Sequence, residues 1–151
     1  MAALKEMPYG RYYGSVDATP LFVALAGAYY ARTGDIAFVQ TIWPNILSAL
    51  NWMTTFGDKD GDGFLEYERR CDTGLIHQGW KDSDDAVFHH DGTPAQGAIA
   101  MCEVQGYAYA AYKAAGILAG VLGHSADAVD FIGRAERLGA TFNKVDRKSV
   151  V

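Results

Sequence analysis

Cysteine is nearly absent. Cys71 and Cys102 are the only two in 151 residues, and they form no CxxC pair. That excludes a disulfide-framed fold and a cysteine zinc site, and leaves free, buried thiols as the default. Positive charge is also in short supply. Thirteen Lys and Arg stand against eighteen Asp and Glu, for a net charge of −5 and a pI near 5.2. A general nucleic-acid or anionic-membrane surface needs a basic face, so neither is expected as a partner. Apolar runs never approach the ~18 residues of a membrane span. The first eleven residues hold no apolar core of signal-peptide type, which points to a cytoplasmic protein. What remains is a globular composition, half hydrophobic and 21% charged. A chain of this size buries roughly 68–70% of its unfolded surface.

The hydrophobic spacing is helical in four stretches, and an all-α fold follows. The first covers 19–32, with Leu21, Leu25, Ala28 and Tyr29 as its apolar positions. Thr19 is the expected cap and Pro20 the first helical residue. Gly34 stops it. Asp35 caps the second, whose apolar residues are Phe38, Val39, Ile42, Ile46, Leu47, Leu50 and Trp52. Pro44 predicts a kink or a break near Trp43. The third covers 99–122 on Val104, Tyr107, Ala108, Ala111, Ala115 and Leu118. The fourth covers 125–142 on Ala128, Phe131, Ile132, Ala135 and Leu138, with Ser125 as cap.

Between the second and third helices lies a Gly- and Asp-rich loop, 57–97, with one short strand-like piece at 64–67. Loops of this length are uncommon in compact domains and usually functional. The chain thus divides into an N-terminal loop segment (1–18), two αα-hairpins (19–143) and a tail (144–151). Both hairpin turns, at Gly34 and Gly123, are short, and the connection between hairpins is long. In an antiparallel array the first and third helices then start at one end, where 12–17 and 79–91 should meet.

The densest set of reactive side chains is Trp80, Lys81, Asp82, Asp84 and Asp85, followed by His89, His90 and Asp91. Like charges held close raise one another's pKa, and apolar neighbours such as Trp80 and Phe88 add desolvation. A carboxylic acid so placed can stay protonated and act as a general acid. The competing reading is a solvated acidic loop that also caps helices. A metal reading of the same Asp and His residues ranks below both, because adjacent carboxylates define no ligand geometry. Asp58, Asp60 and Asp62, followed by Gly63, resemble the opening of a calcium loop. Position twelve is Arg69 where a bidentate Glu is needed, so a Gly-Asp turn is preferred over a structural calcium site, and no cofactor is expected. Tyr12, Tyr13 and Trp80 lie in loops beside carboxylates, a pairing that suits the apolar faces and polar edges of sugar rings. Glu103, near the start of the third helix, can face the same end or complement the helix dipole.

Several ordered segments resemble the bacterial amylo-α-1,6-glucosidase, or glycogen-debranching-like, glycoside hydrolases. They are Tyr12-Tyr13-Gly14-Ser15-Val16-Asp17-Ala18-Thr19-Pro20-Leu21-Phe22, Tyr29-Tyr30, Thr33-Gly34-Asp35, Asp60-Gly61-Asp62-Gly63-Phe64-Leu65-Glu66-Tyr67, His77-Gln78-Gly79-Trp80-Lys81-Asp82-Ser83 and Cys102-Glu103-Val104-Gln105-Gly106-Tyr107. The likeness covers 9–143. It implies part of an (α/α)6 barrel, a carbohydrate substrate, and hydrolysis of α-glucosidic bonds with inversion. In that chemistry one carboxylic acid protonates the leaving oxygen while a second carboxylate activates water. By motif position Asp82 resembles the general acid. Asp17 and Glu103 resemble sugar-contacting residues, Tyr13 and Trp80 ring-packing surfaces, and Lys81 a further substrate-binding group. The family's base lies far downstream on a later hairpin. Here only Asp127, Asp130, Glu136 and Asp146 follow Glu103, the first three expected away from the mouth, so the chain is expected to be an incomplete domain with little turnover of its own. Uncovered barrel faces would then favour self-association. The other readings are a helical-hairpin interaction module without chemistry and a calcium-binding module.

Overall fold

The computed structural model describes residues 15–69, 75–81 and 83–144. Among them are four helices and no strand: α1 (Ala18–Thr33), α2 (Ile36–Thr55), α3 (Cys102–Val121) and α4 (Ser125–Lys144). The all-α expectation holds. Each hairpin turn closes on a left-handed glycine, Gly34 at φ 67° and Gly123 at φ 82°. No described helix is long and apolar enough to cross a membrane.

Several boundaries and faces differ from expectation. The N-cap position of α1 is Asp17, not Thr19, so Pro20 falls in the first turn but not at its first residue. Ser125 is the first residue of α4 rather than its cap. Asp35 does cap α2, its carboxylate accepting the Phe38 N–H at 2.9 Å. Helix α2 runs unbroken through Pro44. A proline removes one backbone donor, and here packing of Trp43, Ile46, Leu50 and Met53 into the core carries the helix across that gap. Helix α3 starts at Cys102, later than expected, because Ile99 exchanges both backbone hydrogen bonds with Tyr67, at 2.8 and 3.1 Å. The strand-like piece at 64–67 is thus a single bridge and not a strand.

Helix α3 packs against α1 and α4 and touches α2, while α2 and α4 meet through side chains, Trp43 against Phe131. Two glycines set the approach distances. A Cβ on Gly27 of α1 would lie 2.5 Å from the Ala114 Cβ of α3, and one on Gly116 of α3 would lie 2.6 Å from the Ile132 side chain of α4. At the far end, the Trp43 ring stacks on His124 with centroids 5.6 Å apart and meets Phe131 edge-on at 6.4 Å.

Helix α1 is apolar nearly all round, which makes its buried face hard to read from spacing. Val23 and Ala26 face the core, whereas Leu21, Leu25 and Ala28, the expected stripe, point outward, Leu25 being 68% exposed. Phe22 is exposed beside them.

The long loop is packed rather than loose. Phe64, Leu65, Tyr67, Val87, Ala95 and Ile99 are all buried. Gln105 of α3 does much of the anchoring. Its side-chain amide donates to the Leu65 carbonyl at 2.7 Å and to the Met101 carbonyl at 3.0 Å, and it accepts the Leu65 N–H at 2.7 Å. One amide therefore satisfies both backbone groups of Leu65, as a neighbouring strand would.

Candidate carbohydrate site at the helix mouth

The starts of α1 and α3 lie at one end of the array. The Val16 N–H donates to the Gln78 carbonyl at 2.8 Å, just ahead of α1. Gly79 follows, and a Cβ there would lie 2.1 Å from the Met101 methyl and 3.9 Å from Val16. A larger residue there would push the Met101 thioether aside, so glycine suits the passage of the 77–81 segment past the two helix starts. Of the expected meeting of 12–17 with 79–91, the described residues show Val16 against Gly79, with the hydrogen bond falling on Gln78, one residue ahead of the expected segment.

Three side chains at this end form one unit. Trp80 is 65% exposed. Its indole N–H donates to Glu103 Oε1 at 2.8 Å. The Lys81 ammonium stands 3.7 Å from the same oxygen and 5.4 Å from the centre of the Trp80 ring. The exposed ring is thus held by its edge to a carboxylate, with a cation over one of its faces. Partial burial pushes the Glu103 carboxyl upward. Hydrogen bonds from its own backbone N–H, the Cys102 thiol and the Trp80 indole, together with the Lys81 charge, outweigh this and hold it below the usual glutamate range. Glu103 is accordingly an acceptor at neutral pH and not a proton donor.

That depression fixes a pH dependence. A carboxylate favoured in the fold contributes stability above its ordinary pKa, and the contribution is lost as pH falls through the lower folded value. We expect Trp80 emission to stay constant from pH 8 to about 5 and to change only below the ordinary glutamate pKa of about 4.3. A change centred at or above that value would contradict the assignment, as would its persistence in Glu103→Gln.

Asp17 is buried beside Val16, with a short hydrogen bond from the Ser15 hydroxyl. Its peptide carbonyl accepts the Leu21 N–H at 3.0 Å, the first bond of α1. Asp82, the candidate acid, and Tyr13, the second candidate ring-packing surface, lie outside the described residues, as do Tyr12 and Cys71. Cys102 is exposed, not buried as its scarcity suggested. Burial of part of its side chain and the adjacent Glu103 raise the thiol pKa, so it remains a protonated donor, 3.3 Å from Glu103 Oε2.

Other candidates disperse. Asp84 and Asp85 are exposed. His89, His90 and Asp91 occupy the tip of a small turn in which Asp91 accepts both the N–H and the hydroxyl of Thr93, at 2.9 and 2.6 Å. Among the described residues the only group of carboxylates, thiols and imidazoles with metal-sized spacing is Asp58, Asp60 and Asp62, within 4.8 Å of one another. Their oxygens already accept the N–H groups of Gly61, Gly63, Asp62 and Phe64, the pattern of a Gly-Asp turn. Asp127 and Asp130 sit in the first turns of α4, at the opposite end from the mouth, and Asp130 pairs with Arg134 at 2.7 Å. Glu136 lies past the middle of α4 and lines a groove of about 490 Å³ between α3 and α4 that also includes Cys102 and Tyr109.

Sequence reasoning missed two buried residues that shape this end, Gln105 and His77. Both are polar residues inside resembling segments, and a long polar side chain at an otherwise apolar helical position was the available signal for Gln105. No protein-family model, no curated protein and no solved structure matches the chain.

Proposed function

We propose that the chain is part of an α-glucan- or α-glucoside-acting glycoside hydrolase of the inverting type, built as a portion of an (α/α)6 barrel and carrying the acid side of its site. The observation that supports this most is the Trp80–Glu103–Lys81 unit: a flat, exposed ring framed by a hydrogen-bond acceptor and a donor cation, at the same end of the array as the buried Asp17. Sugars present apolar C–H faces to such rings and hydroxyls to such edges. In this reading Trp80 and Tyr13 pack the ring of a bound glucose unit, while Asp17, Lys81 and Glu103 bind its hydroxyls. Asp82 protonates the leaving oxygen, and the water-activating carboxylate comes from a hairpin outside this chain.

Titration with maltose, followed by tryptophan emission, tests the binding step. We expect a saturable change in the millimolar range that Trp80→Phe removes and Glu103→Ala weakens at least tenfold. No response in the wild-type chain at high glucose or maltose would defeat the reading. Turnover of an α-glucoside by the chain alone is expected to be negligible. Ordinary rates, lost on Asp82→Asn, would place the second carboxylate within it.

The exposed Leu21, Phe22 and Leu25 on α1 favour a second reading, an interaction module that self-associates through this face. Sedimentation velocity separates the two. We expect concentration-dependent association that Leu25→Glu suppresses, with the maltose response intact. A module without sugar chemistry would lose association and show no maltose response.

A further inference from the structure

His77 is fully buried, and both of its ring nitrogens are partnered. Nδ1 lies 3.0 Å from the Tyr67 hydroxyl, and Nε2 lies 3.2 Å from the Asp84 carbonyl. A carbonyl only accepts, so Nε2 must carry the proton. The Tyr67 hydroxyl also accepts a hydrogen bond from the Gln78 backbone N–H. Its own proton is therefore free to go to Nδ1, the remaining acceptor. Every direction in the chain is fixed: Gln78 N–H to Tyr67, Tyr67 O–H to His77 Nδ1, His77 Nε2–H to Asp84.

The two ends of this relay are mechanically distinct. Tyr67 is tied by its backbone to Ile99, three residues ahead of α3, which bears Glu103. His77 and Gln78 begin the segment that bears Trp80 and Lys81. We propose that the Tyr67–His77 pair is a positioning device, with His77 locked as the Nε2–H tautomer, that sets the Trp80 ring edge against Glu103. Both residues are buried whereas Trp80 is exposed, so they act on the platform through the 77–81 segment as positioning residues. The inference deepens the carbohydrate reading, since the platform it aligns is the one that reading uses.

The test needs no sugar. Long-range 1H–15N correlation spectra of the labelled chain at pH 8 should show one of the four histidines, absent in His77→Gln, with a pyridine-type Nδ1 and a pyrrole-type Nε2. The indole N–H of Trp80 should follow the ionisation of Glu103 in an acid titration. In Tyr67→Phe, which removes one hydroxyl and no ring, that response should fall below half its wild-type size. An Nδ1–H tautomer overturns the proposal, even where Tyr67→Phe fails to fold. A folded Tyr67→Phe chain whose Trp80 response is unchanged also overturns it. If maltose leaves wild-type Trp80 unmoved while the tautomer and the Trp80–Glu103 response are as expected, the carbohydrate reading falls and the positioning device stands.

Discussion

Replacing Gln105 by Leu is expected to cost about 2–4 kcal/mol of stability, a large share of the ~5–15 kcal/mol typical of a domain. The side chain is buried, and its three hydrogen bonds reach Leu65 and Met101. The Met101 carbonyl keeps the Val104 N–H, at 3.2 Å, after the substitution. The N–H and carbonyl of Leu65 lose their partners, and each orphaned buried group costs about 1–3 kcal/mol. Leucine has a similar volume, so the loss reports hydrogen bonding rather than a cavity. Urea unfolding should show a lower midpoint at an unchanged slope. Gln105→Glu sharpens the test. An ionised carboxylate cannot donate to the Leu65 carbonyl, while a protonated one can. Its folded-state pKa is thereby raised, so the variant is expected to approach wild-type stability below the ordinary glutamate pKa and lose it as pH rises. A Gln105→Leu chain as stable as wild type would show that the 64–67 segment does not depend on this anchor.

The second large effect is expected at the α1–α3 crossing. Gly27→Val should destabilise by about 2–3 kcal/mol, in the range of overpacked cores. The first added carbon would stand 2.5 Å from the Ala114 Cβ and 3.3 Å from its Cα, both atoms carried rigidly by a helix. No rotamer change relieves such a contact; the helices must separate. A swap isolates the cause. Gly27→Ala gains about 1 kcal/mol of helix propensity, and Ala114→Gly loses about as much. Gly27→Ala alone should therefore be net destabilising through the clash, and adding Ala114→Gly should bring stability back near wild type. Gly120, which has open space around it, is the control. Gly120→Ala should stabilise by about 0.5–1 kcal/mol. Thermal melts of the single and double variants decide the matter. A stable Gly27→Val chain would mean that the crossing is looser than the close approach implies.

These two positions also show what the sequence made legible and what it did not. Helix type, order and short turns were readable because period, Asp35, Gly34 and Gly123 all act locally. The buried face of α1 was not, because an apolar residue stands at almost every position and periodicity loses its contrast. Only the partner helix, through Gly27 and Ala114, decides which side goes in. Pro44 predicted a kink or a break near Trp43, and α2 is continuous there because tertiary packing overrode the break. The late start of α3 followed from a pairing between Tyr67 and Ile99, more than thirty residues apart, that no local rule registers. At the site, Trp80, Lys81 and Glu103 were found by residue type and motif, and they do come together. The residues that align them, His77 and Tyr67, were silent because a buried His–Tyr pair has no spacing of its own.

The position of α3 bears on how the molecule opens. It borders each of the other helices, whereas α2 and α4 meet through the Trp43 and Phe131 side chains and not along their backbones. Departure of α4 strips one flank of α3 and leaves the α1–α2 hairpin in place. Departure of α2 strips α1 of its hairpin partner and takes Val39, Trp43, Ile46, Leu50 and Met53 out of the core. Withdrawal of α3 leaves the α1–α2 hairpin without its main partner and α4 with little more than the Trp43–Phe131 contact. The chain should accordingly breathe from its two outer helices inward, with the middle of α3, from Ala108 to Ala119, released only when the whole structure is lost. The mouth lies on the first turn of α3, outside that most persistent stretch, so Glu103 should lose its place before the middle of the helix opens.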